Sequence, residues 1–247
     1  SMPVLELRSV RKSFFSGSPR SPRRADALLG VDLDVEAGEI LGIVGNAASG
    51  KTTLLLCAAG LLRRDGGSIK WFGEKFAGGG CLPGLVYVPA VPTYYPFLKV
   101  RDVLHYYCAR DAGLSSRRVK LIADTATRLG LTDSLATCAS QLDKETLKRV
   151  AIAQAIVDEP KIILLDGALD MLGAGALLVQ RALREISSTG TTIIAASRHA
   201  NFLAHVATRI VVLDGGWLTG SFSAARPNPT VFPSFVQPAK QIAERIH

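Results

Sequence analysis

One loop constrains the fold of this 247-residue chain more than any other feature, because the residue pattern changes abruptly on either side of it. Before the loop, Glu39–Val44 is a short apolar run bounded by glycines, typical of a strand buried on both faces. After it, Thr52–Leu62 has the length and composition of a helix. The loop fits the pattern GxxxxGK(S/T) and consists of Gly45, Asn46, Ala47, Ala48, Ser49, Gly50, Lys51 and Thr52, followed by Thr53.

Each part of this loop has a physical reason in the binding of a triphosphate. Small residues let consecutive backbone N–H groups wrap a β-phosphate, and the helix starting near Gly50 points its positive end at that charge. Lys51 is expected to reach the β- and γ-phosphate oxygens, and the Thr52 hydroxyl to complete a Mg²⁺ shell. The sequence therefore predicts that ATP with Mg²⁺ binds from Gly45 to Thr53. The alternative is an ordinary glycine-rich turn between strand and helix.

A second segment supplies the carboxylate that such a metal site needs. Ile162–Leu165 is a run of four apolar residues that ends in Asp166, as a central strand does at the ligand-bearing edge of a parallel sheet. Asp166 is therefore a predicted Mg²⁺ residue together with Thr52. An aspartate that merely ends a strand as a turn or cap is the alternative.

Strands alternate with helices along most of the chain, which predicts an α/β fold of the P-loop NTPase type. The prediction is a mostly parallel sheet with flanking helices, preceded by an N-terminal antiparallel β group. In that group, Val4–Phe15 is predicted to be a strand and Ser16–Ala25 a flexible, turn-rich loop.

A helical subdomain is predicted at about residues 92–157, within a domain that covers residues 1–225. Its best helical segment is preceded by possible N-caps at Ser115 and Ser116 and ends at Gly130. One face of that helix is formed by Val119, Ile122, Ala126 and Leu129. The proline-rich tail, residues 226–247, is predicted to wrap the domain or to extend from it.

Composition restricts the classes of protein to consider. Hydrophobic residues make up 48% and charged residues 20%, which suits a buried core and argues against long disorder. No apolar run reaches the roughly 18 residues of a membrane-spanning helix, so the chain is not expected to cross a membrane itself. The four cysteines form no CxxC pair and are read as reduced thiols.

The formal net charge is +8, and half of it falls within residues 1–30. Such a basic segment could meet nucleic acid or anionic lipid. The serine- and proline-rich character of Ser16–Arg24 favours a solvated basic loop instead.

From about residue 3 to 225 the chain resembles the ATP-binding subunit of an ABC transporter. The resemblance rests on an aromatic residue after the first strand, the GxxxxGK(S/T) loop, the strand ending in Asp166, and a closing strand with Asp214-Gly215-Gly216. It implies that Phe14, or its neighbour Phe15, stacks on adenine, for which an aromatic face is well suited. Plain core packing is the alternative for Phe14.

The chain also departs from the family pattern at positions linked to hydrolysis. The glutamate that polarises the attacking water in the family is replaced by Gly167, and the following proline by Ala168. A glutamine that serves as a metal ligand and senses the transport partner falls on Ala90. In the phosphate loop, Ala48 replaces a usual glycine, which is a mild change if its φ is negative.

Further departures fall where the family forms its dimer site. The Leu-Ser-Gly-Gly-Gln signature maps onto Leu142–Thr146, where Asp143 and Glu145 would bring negative charge towards the γ-phosphate of an opposite subunit. An aspartate of the next loop corresponds to Gly173. The histidine that clasps the γ-phosphate corresponds to Arg198, which can bind phosphate but cannot act as a base. A shift of one residue would place His199 there.

Three functions remain open from the sequence. The first is an ATP-binding subunit that hydrolyses little or no ATP alone, acts with a membrane subunit and dimerises with itself or an active sibling. It would lie in the cytoplasm, peripheral to the inner face of the cell membrane. Pro92–Pro96, with Tyr94 and Tyr95, would meet the membrane partner, and local packing is the alternative for this segment. The second is a competent ATPase whose base is His199 or a partner residue. The third is a soluble regulator or nucleic-acid binder, although the helical region lacks the aromatic and basic interleaving used to bind bases.

Overall fold

Two β-sheets and six helices form the fold of the computed structural model, which describes residues 2–18, 21–80, 82–108, 116–167, 169–170 and 173–223. The strands in these residues are β1 (Leu5–Ser18), β2 (Ser21–Val35), β3 (Ile40–Val44), β4 (Gly66–Trp71), β5 (Glu74–Lys75), β6 (Leu85–Val88), β7 (Ile162–Asp166), β8 (Thr192–Ser197), β9 (Arg209–Asp214) and β10 (Trp217–Ser223). The helices are α1 (Lys51–Ala58), α2 (Val100–Tyr107), α3 (Ser116–Arg128), α4 (Lys144–Val157), α5 (Ala174–Ser188) and α6 (Ala200–Ala204). Two 3₁₀ turns, Thr132–Ser134 and Ala139–Gln141, lie between α3 and α4.

The larger sheet has the strand order β10-β9-β3-β8-β7-β6. All neighbouring pairs are parallel except β9 with β10. Every residue of β3, β7 and β8 is buried, as expected when helices or a second sheet cover both faces. The predicted mostly parallel α/β sheet is therefore confirmed.

The smaller sheet is antiparallel and has the order β2-β1-β4-β5, which confirms the predicted N-terminal β group. The prediction of a flexible loop over Ser16–Ala25 is wrong, because β1 and β2 continue to pair as far as Ser18 and Ser21. These paired side chains are largely exposed, so the apolar alternation that marks a half-buried strand is missing. Backbone pairing across the hairpin satisfies the N–H and C=O groups without it.

Helix α1 packs between the two sheets. Its buried residues, Leu54 and Leu55 among them, join the inner residues of the antiparallel sheet and one face of the parallel sheet in a single apolar cluster. The other face of the parallel sheet packs in a second cluster with residues of α2, α3, α4, α5 and α6. Because both faces of β3 are covered in this way, the loop that follows β3 leaves the sheet from a rigid base.

The helical region between β6 and β7 contains α2, α3 and α4. In α3, Ile122 and Ala126 are buried, and so is Leu129 just beyond the helix, but Val119 is 55% exposed and does not belong to that face. Gly130 adopts a φ of +63° after the helix, which glycine tolerates without strain. Ser115 and the tail from 226 to 247 lie outside the described residues, and the domain boundaries stay predictions.

No helix in the described part of the chain combines the length and apolar character that a bilayer span requires.

Trp71 links the antiparallel sheet to α1. It is 1% exposed, and its indole Nε1–H donates a hydrogen bond of 2.8 Å to the carbonyl oxygen of Ala58. We expect Trp71→Ala to lower the free energy of unfolding by about 3–5 kcal/mol, because a large buried side chain is replaced by a cavity. Urea denaturation monitored by far-UV circular dichroism measures this loss.

Trp217 provides a matched control, because it is 52% exposed on β10. Trp217→Ala should cost about 1 kcal/mol or less, as surface substitutions usually do. Equal losses for the two variants would contradict the assignment of Trp71 to the core.

Candidate functional site

The loop between β3 and α1 is fixed by close backbone packing. A Cβ at Gly45 would stand 2.2 Å from the carbonyl oxygen of Leu213, and one at Gly50 would stand 2.3 Å from that of Ala27. Gly50 also has a φ of +104°. Both positions therefore require glycine, which agrees with the residue pattern of the loop.

The tip of the loop is exposed, and its base is buried. Asn46, Ala47 and Ala48 are open to solvent, whereas Ser49 and Gly50 are buried. The condition for a mild change at Ala48 does not hold, because its φ is +61° rather than negative. A side chain in this left-handed region costs about 1–2 kcal/mol, so the loop geometry is maintained against local strain.

The Lys51 ammonium lies across the loop. It donates hydrogen bonds to the carbonyl oxygens of Gly45 at 2.8 Å and Asn46 at 2.7 Å, and to Ser49 Oγ at 3.1 Å. Burial lowers the pKa of Lys51, Asp166 opposes that change, Arg198 adds to it, and Asp170 opposes it. A partly desolvated ammonium at this point is suited to a phosphate oxygen, since desolvation strengthens its attraction to an anion.

The two predicted metal residues meet directly. Thr52 Oγ1 donates a hydrogen bond of 3.1 Å to Asp166 Oδ1, and Asp166 is only 6% exposed. A hydroxyl and a carboxylate are hard oxygen donors of the kind that Mg²⁺ prefers. No group of three His, Cys, Asp or Glu side chains suited to a metal occurs in the part of the chain that the structure describes. As hard oxygen donors, Thr52 and Asp166 would hold a Mg²⁺ ion whose further ligands would come from phosphate and water.

Sequence reasoning missed Tyr87 as part of this site. Its hydroxyl donates a hydrogen bond of 2.9 Å to Asp166 Oδ2, from β6, the strand beside β7. Burial raises the pKa of Tyr87, and the charge and hydrogen bond of Asp166 raise it further, so the phenol stays protonated and keeps donating. The signal was available in principle, because a partly buried tyrosine near the end of a strand, here the edge strand β6, needs a partner for its hydroxyl.

The end of β8 forms the third side of the site. Ser197, its last residue, is buried beside Val44, and the exposed Arg198 and His199 follow it. The His199 backbone N–H donates a hydrogen bond of 2.9 Å to Ser197 Oγ at the start of α6. Arg198 lies close enough to Lys51 to influence its pKa. The predicted phosphate contact of Arg198, with His199 as its alternative, stays a prediction.

Asp170 is the other residue that sequence reasoning missed. It follows Asp166 by four positions, and its Oδ1 accepts a hydrogen bond of 2.5 Å from Ser197 Oγ. The Lys148 ammonium donates to its backbone carbonyl oxygen at 3.0 Å. The only sequence signal was an acidic residue in the turn that follows a strand of the ligand-bearing edge.

Two of the departures from the family pattern touch each other in space. Gly167 has a φ of +63°, and a Cβ there would stand 3.1 Å from the Cβ of Ala90. That separation is tighter than ordinary van der Waals contact. A side chain at position 167 would therefore crowd Ala90, whereas glycine fits beside it. Ala168 lies outside the described residues.

The segment Leu142–Thr146 forms the start of α4. Asp143 is the N-cap, and its carboxylate accepts hydrogen bonds of 2.8 Å from both the backbone N–H and the hydroxyl of Thr146. These bonds lower the pKa of Asp143. The positive end of α4 is therefore occupied by a carboxylate of its own chain, with Glu145 in the first turn. Gly173 precedes α5 as its N-cap with a φ of +73°.

Phe14 lies next to the phosphate loop on a hairpin arm, in which Ser13–Ser18 of β1 pair with Ser21–Asp26 of β2. It is 43% exposed and pairs with Ala25, two residues from the Ala27 carbonyl that packs on Gly50. The Lys12 ammonium stands 5.6 Å from the centre of its ring. Phe14 is therefore not a core residue, and its stacking on adenine stays a prediction.

A family model described as "ABC transporter" matches residues 28–170, which is more than half of the chain. The chain belongs to the ABC transporter ATP-binding family. The match includes the phosphate loop, Asp166 and Asp170.

Curated relatives agree with this assignment. The methionine import ATP-binding protein MetN of Brucella abortus (strain 2308) is 30% identical over 226 residues, covering 87% of this chain and 58% of MetN. The aliphatic sulfonates import ATP-binding protein SsuB of Rhodopseudomonas palustris (strain BisA53) is 30% identical and is covered to 76%. The macrolide export ATP-binding/permease protein MacB of Nitrosomonas europaea is 31% identical and is covered to 35%. This chain therefore spans a little over half the length of MetN and about a third of MacB.

Solved structures share the fold. The ADP conformation of an ATP-binding cassette of an ABC transporter has a TM-score of 0.76 at 19% identity, covering 96% of this chain and all of that one. A dimeric bacterial ABC transporter cassette has a TM-score of 0.77 at 22% identity, covering 90% of this chain and 99% of that one. The predicted P-loop NTPase fold of the ABC type is confirmed.

Restoring a glutamate at position 167 should be unfavourable in this chain. Gly167→Glu places a side chain at a left-handed φ, which costs about 1–2 kcal/mol, and also against the Cβ of Ala90 at 3.1 Å. We expect a lower free energy of unfolding, measured by urea denaturation. Adding Ala90→Gly should recover the part of the loss that is due to contact with Ala90.

Gly79→Glu separates these two causes. Gly79 has a φ of +84°, and a Cβ there would meet nothing within 4 Å. The loss of unfolding free energy in Gly79→Glu should equal the cost of the left-handed φ alone. Adding Ala90→Gly should not change it. A Gly167→Glu variant as stable as the natural chain would show that the loop rearranges freely.

Proposed function

We propose that this chain binds Mg·ATP at Gly45–Thr53 and couples that binding to a membrane partner, with weak or no hydrolysis of its own. The observation that carries the proposal is the convergence of Lys51, Thr52 and Asp166 at one edge of the parallel sheet. An ammonium, a helix N-terminus and a buried carboxylate–hydroxyl pair together match the charge pattern of a metal triphosphate.

Different residues of this chain bind the phosphates, the metal ion and the adenine. Backbone N–H groups of the loop and Lys51 hold the phosphates, while Thr52 and Asp166 hold Mg²⁺, which neutralises phosphate charge when bound. Tyr87 fixes the orientation of the Asp166 carboxylate through its hydrogen bond. Phe14 is exposed on the adjoining arm, which supports its proposed stacking on adenine.

Weak hydrolysis follows from what stands beside the phosphates. Gly167 has no side chain with which to polarise water, and Ala90 offers no ligand to the metal. Loss of a general base typically slows a reaction by about 10²–10⁴-fold. The binding residues are retained while these two positions are not, which favours an ATP-binding role over a competent ATPase.

The partner in a dimer is proposed to be an active sibling rather than a second copy of this chain. Asp143 already caps α4, and Glu145 lies in the same turn, so this helix end is poorly suited to an opposite γ-phosphate. A sibling with an intact signature segment would complete the site over the ATP of this chain. In a symmetric dimer, both ATP sites would meet these carboxylates.

The membrane partner is proposed to dock on aromatic side chains after β6. Tyr95 and Phe97 are both exposed and stack with ring centres 5.7 Å apart, and Val91, earlier in the same segment, is exposed as well. Tyr94 is unavailable for that contact, because its hydroxyl donates to Gln154 Oε1 at 2.7 Å and its ring packs on the core. Relatives named as import ATP-binding proteins support a position at the inner face of the membrane.

Binding is tested by thermodynamic linkage. Mg·ATP at one hundred times its Kd should raise the free energy of unfolding by about 2.7 kcal/mol, and Lys51→Ala should remove most of that gain. Thermal denaturation over an ATP titration provides the measurement. Lys75→Ala, a change of the same kind at an exposed lysine of β5, should retain the full gain. No stabilisation of the natural chain at saturating Mg·ATP would contradict the proposal.

Hydrolysis is tested by phosphate release. We expect steady-state turnover of the purified chain to lie at least 10²-fold below a typical enzyme rate of about 10 s⁻¹. The assay is run beside Lys51→Ala to define the background. A rate near 10 s⁻¹ that Lys51→Ala abolishes would favour the competent ATPase instead.

A further inference from the structure

Asp170 is an acidic residue at the ligand-bearing edge of the parallel sheet, and it has no role in the Mg·ATP binding proposed above. Its hydrogen-bond partner Ser197 ends β8, the strand that lies between β3 and β7 in the sheet. Ser197 pairs with Val44, directly before the phosphate loop, and its neighbour Ala196 pairs with Asp166. Asp170 is therefore attached to the sheet midway between the phosphate loop and the metal carboxylate.

The two oxygens of Asp170 have different surroundings. Oδ1 accepts the hydrogen bond from Ser197 Oγ, whereas Oδ2 points towards Gly167 and lies 4.0 Å from where a Cβ on that residue would stand. A glutamate at position 167 would carry its own carboxylate carbon two bonds beyond that Cβ. Across the described ranges, no ion pair involves Asp170 and no hydrogen bond involves its Oδ2. This oxygen can accept a hydrogen bond from water.

The backbone around Asp170 holds this orientation. Its N–H donates to the carbonyl oxygen of Gly167 at 3.3 Å, which closes a turn directly after β7. The Lys148 ammonium, from α4, donates to the backbone carbonyl oxygen of Asp170 at 3.0 Å. Side chain and backbone are thus both fixed, as a water-positioning group requires.

The charge of Asp170 acts on Lys51, the lysine proposed to bind the phosphates. Burial lowers the pKa of Lys51, and Asp166 and Asp170 both oppose that change. A charge that acts on the phosphate-binding lysine also acts on the γ-phosphate that this lysine is proposed to hold.

We propose that Asp170 supplies the water-orienting carboxylate that position 167 lacks, and that residual hydrolysis of bound ATP depends on it. This inference rests on the proposed Mg·ATP site. The water oxygen bonds to the γ-phosphorus, while the bond from that phosphorus to the β,γ-bridging oxygen breaks and its electron pair leaves with ADP. Asp170 Oδ2 accepts a proton from the water and passes it to solvent. The products are ADP and inorganic phosphate.

Gly167 is part of the same arrangement. A Cβ at position 167 would stand 3.1 Å from the Cβ of Ala90 and 4.0 Å from Asp170 Oδ2, so a longer side chain there would enter the space between the two residues. The absence of a Cβ leaves that space to water. The carboxylate is thereby supplied from three residues further along the chain.

Asp170→Asn is the decisive variant, because it keeps an oxygen for the Ser197 hydroxyl while removing the basic second oxygen. We expect steady-state phosphate release to fall by about 10²-fold, towards the Lys51→Ala background. The Kd for Mg·ATP, measured by titration calorimetry, should stay equal or decrease, because a negative charge near the phosphates has been removed. Asp170→Glu should retain more turnover than Asp170→Asn.

Asp133→Asn is the matched control, as the same change at an exposed position in a 3₁₀ turn far along the chain from the site. It should leave both turnover and Kd unchanged. Unfolding in urea, recorded for each variant, should show that Asp170→Asn remains folded.

Three outcomes overturn the inference. They are an unchanged rate in Asp170→Asn, a natural chain no faster than Lys51→Ala, and weaker ATP binding in Asp170→Asn without a fall in kcat. In each of these three cases the proposed ATP site still holds, provided that Mg·ATP stabilises the natural chain against unfolding. Failure of that stabilisation removes the proposed function itself, so the two failures are distinguishable.

Discussion

Parallel hydrogen bonding of β3, β8 and β7 is the constraint on which the site depends. Since the carboxyl ends of parallel strands meet at one edge, the pairing of Val44 with Ser197 and of Ala196 with Asp166 fixes three chain exits side by side. One exit carries the phosphate loop, one carries Asp166, and the middle one carries the serine that holds Asp170. Every residue of these strands is buried, so the spacing of the exits cannot change without disturbing both apolar clusters.

The charges at this edge balance one another. Lys51 is partly desolvated and lies within the fields of Asp166 and Asp170, while Arg198 adds a second positive charge nearby. A metal triphosphate brings a large negative charge with its own cation. In the proposed complex the lysine and arginine would therefore face the phosphates, and the carboxylates would face the metal and water. In the proposed function, glycine at position 167 leaves the phosphate-binding residues unchanged, because the glutamate of the family pattern would act on the attacking water rather than on the phosphates.

The sequence was sufficient for the features that depend on local pattern. The phosphate loop has glycine where a Cβ would collide with the backbone, and the buried strands consist of unbroken apolar runs, so the fold class could be predicted from these residues. The hairpin arm could not be predicted in the same way, since its pairing rests on backbone hydrogen bonds between exposed, polar residues. Tyr87 and Asp170 were missed because their roles depend on the order of strands in the sheet, which brings together residues 79 and 27 positions apart.

The start of α4 limits which dimers are compatible with these charges. An uncapped helix N-terminus offers free N–H groups and a positive end to an anion, but Asp143 uses one of those groups and places its carboxylate there. Deprotonation of Asp143 is favoured by its bonds to Thr146, so the charge persists to lower pH than in an ordinary aspartate. A phosphate from an opposite subunit would have to displace this cap or approach a like charge, and both cost free energy. In the proposed pairing with a different subunit, only one of the two ATP sites would meet the Asp143 carboxylate, whereas in a symmetric dimer both would.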